Sequence, residues 1–195
     1  MFFLTLSAAD FVDFVPYYFD GSHSPSVSSG VRSVAVADLP ELGEHTSTPT
    51  TEPVRIVIAA IDLDLSVQNP VTRDIGVLDE TLKNGPAHYV DSAKLGEEGT
   101  VLIFAHSSHL PIVHNQMFRA FNRISELNTG DSINVTGADG KHYLYSVMNV
   151  RRADASEAII DLSPTQGRTL TLVTCDTLTG KTARFIVVAN FLGML

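Results

Sequence analysis

Basic residues are scarce in this chain: 13 Lys and Arg stand against 22 Asp and Glu, for a formal net charge of −9, and they form no dense cluster. Binding to nucleic acid rests on neutralising phosphates, so the surface is a poor electrostatic match to DNA or RNA, and no nucleic-acid partner is expected. Cysteine is scarcer still. The single one, Cys175, cannot form an internal disulfide. None is needed, because a domain of about 140 residues buries roughly two-thirds of the surface its unfolded chain exposes. Internal repeats are also absent.

The N-terminus lacks the basic start of a secretory signal. Residues 1–19 are apolar, but Asp10 and Asp13 lie in their middle with no Lys or Arg before them. Each aspartate at the centre of a membrane helix costs about 2.5–3.5 kcal/mol, so the stretch reads as an interfacial segment or a membrane-proximal remnant rather than a full span. Residues 20–53 shift to Ser, Thr, Pro and Gly and read as a linker. As a flexible coil its root-mean-square reach is on the order of 30 Å. The regular pattern occupies residues 54–195.

Within that region the periods are those of strands. Val54 to Ile58, Leu63 to Val67, Ser132 to Thr136 and His142 to Val147 are β-branched, aromatic or alternating, and Asp139-Gly140 is a hairpin signal between the last two. Thr100 to Ala105 is a continuous apolar strand that delivers His106 at its end. Asp79 to Lys83 suggests one helical turn. From Gln116 to Leu127, the residues Met117, Phe121, Ile124 and Leu127 suggest a helix packed on the sheet. Many short strands with few helices point to a mainly β fold, a closed or nearly closed barrel.

Cys175 ends a strand that alternates Thr with Leu and Val from Thr169 to Thr174, and a turn-like stretch separates it from a second strand starting at Ala183-Arg184. Antiparallel pairing of the two would set Cys175 beside Arg184, and a cation there favours thiolate over thiol. On residue type alone, a lone cysteine reads better as a small buried hydrophobe than as a nucleophile.

Thr171-Leu172-Val173-Thr174-Cys175 resembles the Thr-Leu-x-Thr-Cys motif of the sortases, the cysteine transpeptidases of bacterial cell surfaces, and Arg184 falls nine residues later, where many sortases place their arginine. The earlier block is similar too. Gly85-Pro86-Ala87-His88-Tyr89 and the Gly96-to-Gly99 loop precede the strand closed by His106, with Ala105 at a position usually held by Gly in the family. The resemblance runs from about Val54 to Phe191. It implies a closed β-barrel of about eight strands with one or two short helices.

It also implies a set of roles. Cys175 would attack the carbonyl of a C-terminal sorting signal related to Leu-Pro-x-Thr-Gly, and His106 would protonate the departing amine. Arg184 would donate hydrogen bonds to the substrate carbonyl, while Thr174, Ala105 and Ser107 would border the peptide. The expected partners are that signal peptide and an amine acceptor, either a cell-wall precursor or a pilin lysine. The expected place is the outer face of a bacterial cell membrane, reached through the N-terminus, and no cofactor or metal is expected.

Three alternatives remain. A barrel without catalysis would bind peptide only. His106, His109 and His114, with Cys175 as a fourth ligand, could hold zinc. A papain-like protease would also use Cys and His, but there the cysteine comes first and opens a helix. Glu97, Glu98, Asp62 and Asp64 could bind calcium, as in some sortases, but lack calcium-loop spacing and read better as a solvated acidic face. His88 reads as a structural hydrogen-bonding residue.

Overall fold

The computed structural model describes residues 50–108, 111–154, 160–162, 167–176 and 183–195, with the backbone alone at Cys175 and Asp176. The apolar segment 1–19, nearly all of the linker, His109 and the stretch 177–182 lie outside the described residues.

Eight strands form one curled sheet: β1 (Pro53–Ile58), β2 (Leu63–Ser66), β3 (Ala87–His88), β4 (Gly99–Ala105), β5 (Ser132–Gly137), β6 (His142–Asp154), β7 (Arg168–Asp176) and β8 (Ala183–Met194). Their order is β2-β1-β5-β6-β8-β7-β4-β3. All neighbours are antiparallel except β4 and β7, which run parallel. The two ends of this order meet at one point. Gln68, just past β2, bridges Ala87 of β3 through Gln68 N–H to Pro86 O at 2.8 Å and His88 N–H to Gln68 O at 2.9 Å. The sheet is therefore curled and, among the described residues, its two ends are joined by this bridge, in keeping with the closed or nearly closed barrel expected from the sequence. Gly85 makes that bridge possible: its φ is +147°, and a Cβ there would lie 2.7 Å from Ser66 O.

Burial along the strands follows the sequence pattern. In β5 and in the first half of β6, buried residues alternate with partly exposed ones, as expected for one face on the core. β4 is buried throughout. Val101, Ile103 and Ala105 join the main core inside the curl, whereas Leu102 and Phe104 pack outward against Leu78 and Leu82 of α1 (Ile75–Leu82). A strand covered on both faces has no polar alternation to show. The helix starts where Asp74 caps it, accepting a hydrogen bond from Val77 N–H at 2.9 Å, well before the single turn expected at residue 79.

Two other expectations are corrected. The helix expected over 116–127 is a pair of 3₁₀ turns, Gln116–Arg119 and Ile124–Glu126. Phe121 N–H donates out of the segment to His106 O at 3.0 Å, so the ladder an α-helix needs is broken there. Phe121, Ile124 and Leu127 are nonetheless all buried, at the three-residue period of a 3₁₀ turn. The strand read from His142 to Val147 is longer than expected: after a bulge between Val147 and Asn149, β6 continues to Asp154 against β8. Thr51 and Glu52, read as the end of the linker, are engaged with the fold. Thr51 exchanges two backbone hydrogen bonds with Leu95, and Glu52 reaches Lys94 at 2.7 Å.

Candidate active site

Register, more than any single contact, assembles the site. β4, β7 and β8 are neighbours, and Ala105 of β4 is opposite Thr174 of β7, while Cys175 of β7 is opposite Arg184 of β8. His106 directly follows Ala105 as Cys175 directly follows Thr174. Three residue types drawn from distant parts of the chain thus occupy adjacent positions at the ends of three adjoining strands. Directly opposite residues of an antiparallel pair such as β7 and β8 sit on one face of a sheet, about 4.5–5.5 Å apart at Cβ.

The strand ends are tied together. Thr174 Oγ1 donates to Ala105 O at 2.8 Å, and both residues are buried. Ala105 has ordinary extended backbone; Asp62 is the one non-glycine residue with positive φ among the described residues. Alanine is therefore no obstacle at a position where the sortase pattern has glycine. Beyond β4 the chain is clamped by Asn122, whose Oδ1 accepts from Ser108 N–H at 2.7 Å and whose Nδ2 donates to Ser108 O at 2.8 Å. Ser107 is buried beside this clamp. His106 sits between these ties, its carbonyl held by Phe121 N–H.

A family model described as the sortase domain matches residues 56–192. The chain belongs to the sortase family. Solved structures agree on the fold. Sortase A from Corynebacterium diphtheriae superposes with a TM-score of 0.58 at 20% identity, over 76% of this chain and 63% of that one. Sortase A from Listeria monocytogenes gives 0.54 at 22% identity, over 73% and 88% of the two chains. Sortase C-1 from Actinomyces oris gives 0.58 at 22%, over 73% and 75%. Comparison with curated proteins returns no match.

In this sortase the His106 ring stacks on Phe118, with centroids 5.0 Å apart and planes at 27°. Its side chain is 12% exposed, and burial holds the imidazole below its ordinary pKa, against the opposing pull of the Asp79 carboxylate and with a smaller push from Lys83. Arg184 is 7% exposed, and its Nη1 donates to Ala183 O at 3.1 Å. A charged group is rarely buried so far without being held in place.

The other polar residues sort themselves by their partners. His114 is exposed, and among the described residues no three His, Cys, Asp or Glu side chains converge as a metal site would require. The acidic residues weighed for calcium are held by cations or backbone: Asp62 by Arg123, Asp64 by Arg55, Glu98 by Arg168, and Glu97 by the backbone N–H of Lys94. His88 is placed between Glu52 Oε2, 3.0 Å from Nδ1, and Ser92 Oγ, 2.9 Å from Nε2. These are the distances of a serine-histidine-carboxylate triad. Ser92 Oγ, however, is buried, donates to Tyr89 O at 2.8 Å and accepts from Leu102 N–H at 3.1 Å, so the hydroxyl serves the turn. His88 has the structural role its sequence context suggested.

One residue near His106 was missed from the sequence. Asp79 on α1 places Oδ1 3.5 Å from His106 Nε2, and its side chain is 19% exposed. Its signal was faint: Asp74 as a cap sets the helix phase, and Leu78 is the residue that phase buries.

Proposed function

We propose that this sortase is a cysteine transpeptidase acting through Cys175, His106 and Arg184. The observation that supports the reading is the register, in which Cys175 of β7 is opposite Arg184 of β8 and Thr174 is opposite Ala105, the last residue of β4 before His106. A thiol of ordinary pKa, about 8.5, is a weak nucleophile at neutral pH, and an adjacent cation favours its thiolate. Cys175 Sγ attacks the scissile carbonyl of a sorting-signal peptide. Arg184 donates hydrogen bonds to the oxygen that becomes negative. As the carbon–nitrogen bond breaks, the imidazolium of His106 gives its proton to the departing amine, leaving a thioester on Cys175. An incoming amine or water then attacks the thioester, His106 takes up its proton, and the thiolate leaves.

General acid–base help of this kind is worth roughly 10²–10⁴ in rate, and one donor to the oxyanion roughly 10²–10³. Ala105, Thr174 and Ser107 border the peptide from the strand ends. The substrate class is a C-terminal signal of the Leu-Pro-x-Thr-Gly type, and the acceptor is a cell-wall precursor or a pilin lysine. The place of action is the outer face of a bacterial membrane, with residues 1–19 as the attachment; among the described residues no helix is long and apolar enough to cross one.

The test is mass spectrometry of the full chain incubated with a library of sorting-signal peptides, followed by turnover of a quenched peptide. An acyl adduct on Cys175 is expected, and Cys175→Ala should abolish cleavage. Undiminished turnover by that variant refutes the assignment. Peptide affinity with no adduct identifies a binding barrel instead.

A further inference from the structure

We propose that Asp79 is a positioning residue that holds the His106 imidazole through Nε2 and pairs with its protonated form. The inference deepens the transpeptidase reading and rests on it. Leu78 and Leu82 seat α1 on the outer face of β4 beside Leu102 and Phe104, and this seating carries Asp79 to the end of that strand, where His106 begins. The residue is then fixed at its backbone carbonyl by Phe121 N–H, its ring is stacked on Phe118, and its Nε2 edge faces Asp79.

His106 Nε2 is buried and makes no hydrogen bond. Leaving such an atom unpaired costs about 1–3 kcal/mol, and buried polar atoms seldom persist in that state without a use. At 3.5 Å, Asp79 Oδ1 lies beyond an ordinary hydrogen bond but within an ion pair's range. A small closure would make a charge-assisted contact, the kind that is shorter and stronger than a neutral one. The site is thus loose around the neutral ring and complementary to the imidazolium, the form that must be present when the amine departs. With Nε2 assigned to Asp79, Nδ1 is the nitrogen that gives and takes the substrate's proton.

Among the described residues, the charged and titratable groups around His106 are few. Asp79 and Lys83 come from α1, Arg119 lies on the turn that carries Phe118, and Cys175 and Arg184 lie in register on β7 and β8. Among them Asp79 is the one carboxylate. It opposes both burial and Lys83, which disfavour the charged ring.

The experiment is an NMR titration of His106 in the full chain, with parallel kinetics on a quenched sorting-signal peptide. In Asp79→Asn the imidazole should titrate at lower pH than in the wild type. The rate limb reporting the acid should move the same way, with kcat down about tenfold and KM within about twofold. Asp79→Glu should recover part of the loss, and Lys83→Gln should move the titration upward. An unchanged His106 titration in Asp79→Asn overturns the proposal, as does a shifted titration with unaltered kcat. If the wild-type chain cleaves no sorting peptide, the transpeptidase reading fails by itself, and the titration alone decides whether Asp79 is the partner of His106.

Discussion

Replacing Asn122 with alanine tests how His106 is held. The Asn122 amide makes two hydrogen bonds to one residue, Ser108, at 2.7 and 2.8 Å, and Ser108 is buried while Asn122 is half-buried. Each such bond contributes about 0.5–1.5 kcal/mol net, so their joint loss should cost about 1–3 kcal/mol, towards the upper end if water cannot reach the Ser108 backbone. Asn122→Asp is the sharper variant. It keeps an acceptor for Ser108 N–H but sets a carboxylate oxygen against Ser108 O, so it should be no more stable than the alanine variant. Urea unfolding read by far-UV circular dichroism suits a chain without tryptophan. A lower midpoint with an unchanged slope is the expected signature. Turnover measured well below the midpoint should also fall, because His106 lies two residues from the clamp. Both variants within about 0.5 kcal/mol of the wild type would refute the reasoning, since that is the range of a surface substitution without structural consequence.

Thr174→Val removes the hydroxyl that donates to Ala105 O while keeping the shape of the side chain. It should cost about 1–3 kcal/mol in urea unfolding, whereas Thr174→Ser, which keeps the bond, should cost less; a reversed order would show that packing, not the bond, ties β7 to β4. His88 concerns pH. Burial holds its imidazole below the ordinary value, against the raising effects of the Ala93 carbonyl and Glu52, so on acidification the unfolded chain takes up this proton first. Stability from this group is full above about pH 6.5, the unfolded value, and is lost as pH falls through the folded one. His88→Gln should therefore lose less stability between pH 7.5 and 5.5 than the wild type; equal losses would assign the acid sensitivity elsewhere.

Much of the fold could be read from residue patterns because the strands carry strong ones. Alternation in Thr169 to Thr174 and the unbroken apolar run of Thr100 to Ala105 match β7 and β4 closely. The second half of β6 could not be read, since residues 148–154 are mostly exposed and lack alternation; they are strand because β8 continues beside them. The 116–127 segment shows a pattern that two structures share. Apolar residues three apart suit an α-helix face and a 3₁₀ turn alike, and the choice was made by a distant acceptor, His106 O. At the site, motifs singled out His106, Cys175 and Arg184, and the register sets Cys175 opposite Arg184 and Thr174 opposite Ala105, the residue before His106. Asp79 was not legible, because its meaning depends on where a helix lands.

The parallel ladder between β4 and β7 has a temporal consequence. Thr174 and the carbonyl it grips are 69 residues apart in the chain, and contacts of such separation, in parallel sheets above all, form late because the intervening loop must close first. During synthesis β4 exists long before β7 and β8 do. Until those last ladders zip, Cys175 has no Arg184 opposite it and Thr174 has no Ala105 carbonyl to grip. The proposed nucleophile therefore acquires its neighbours only when the chain is nearly complete.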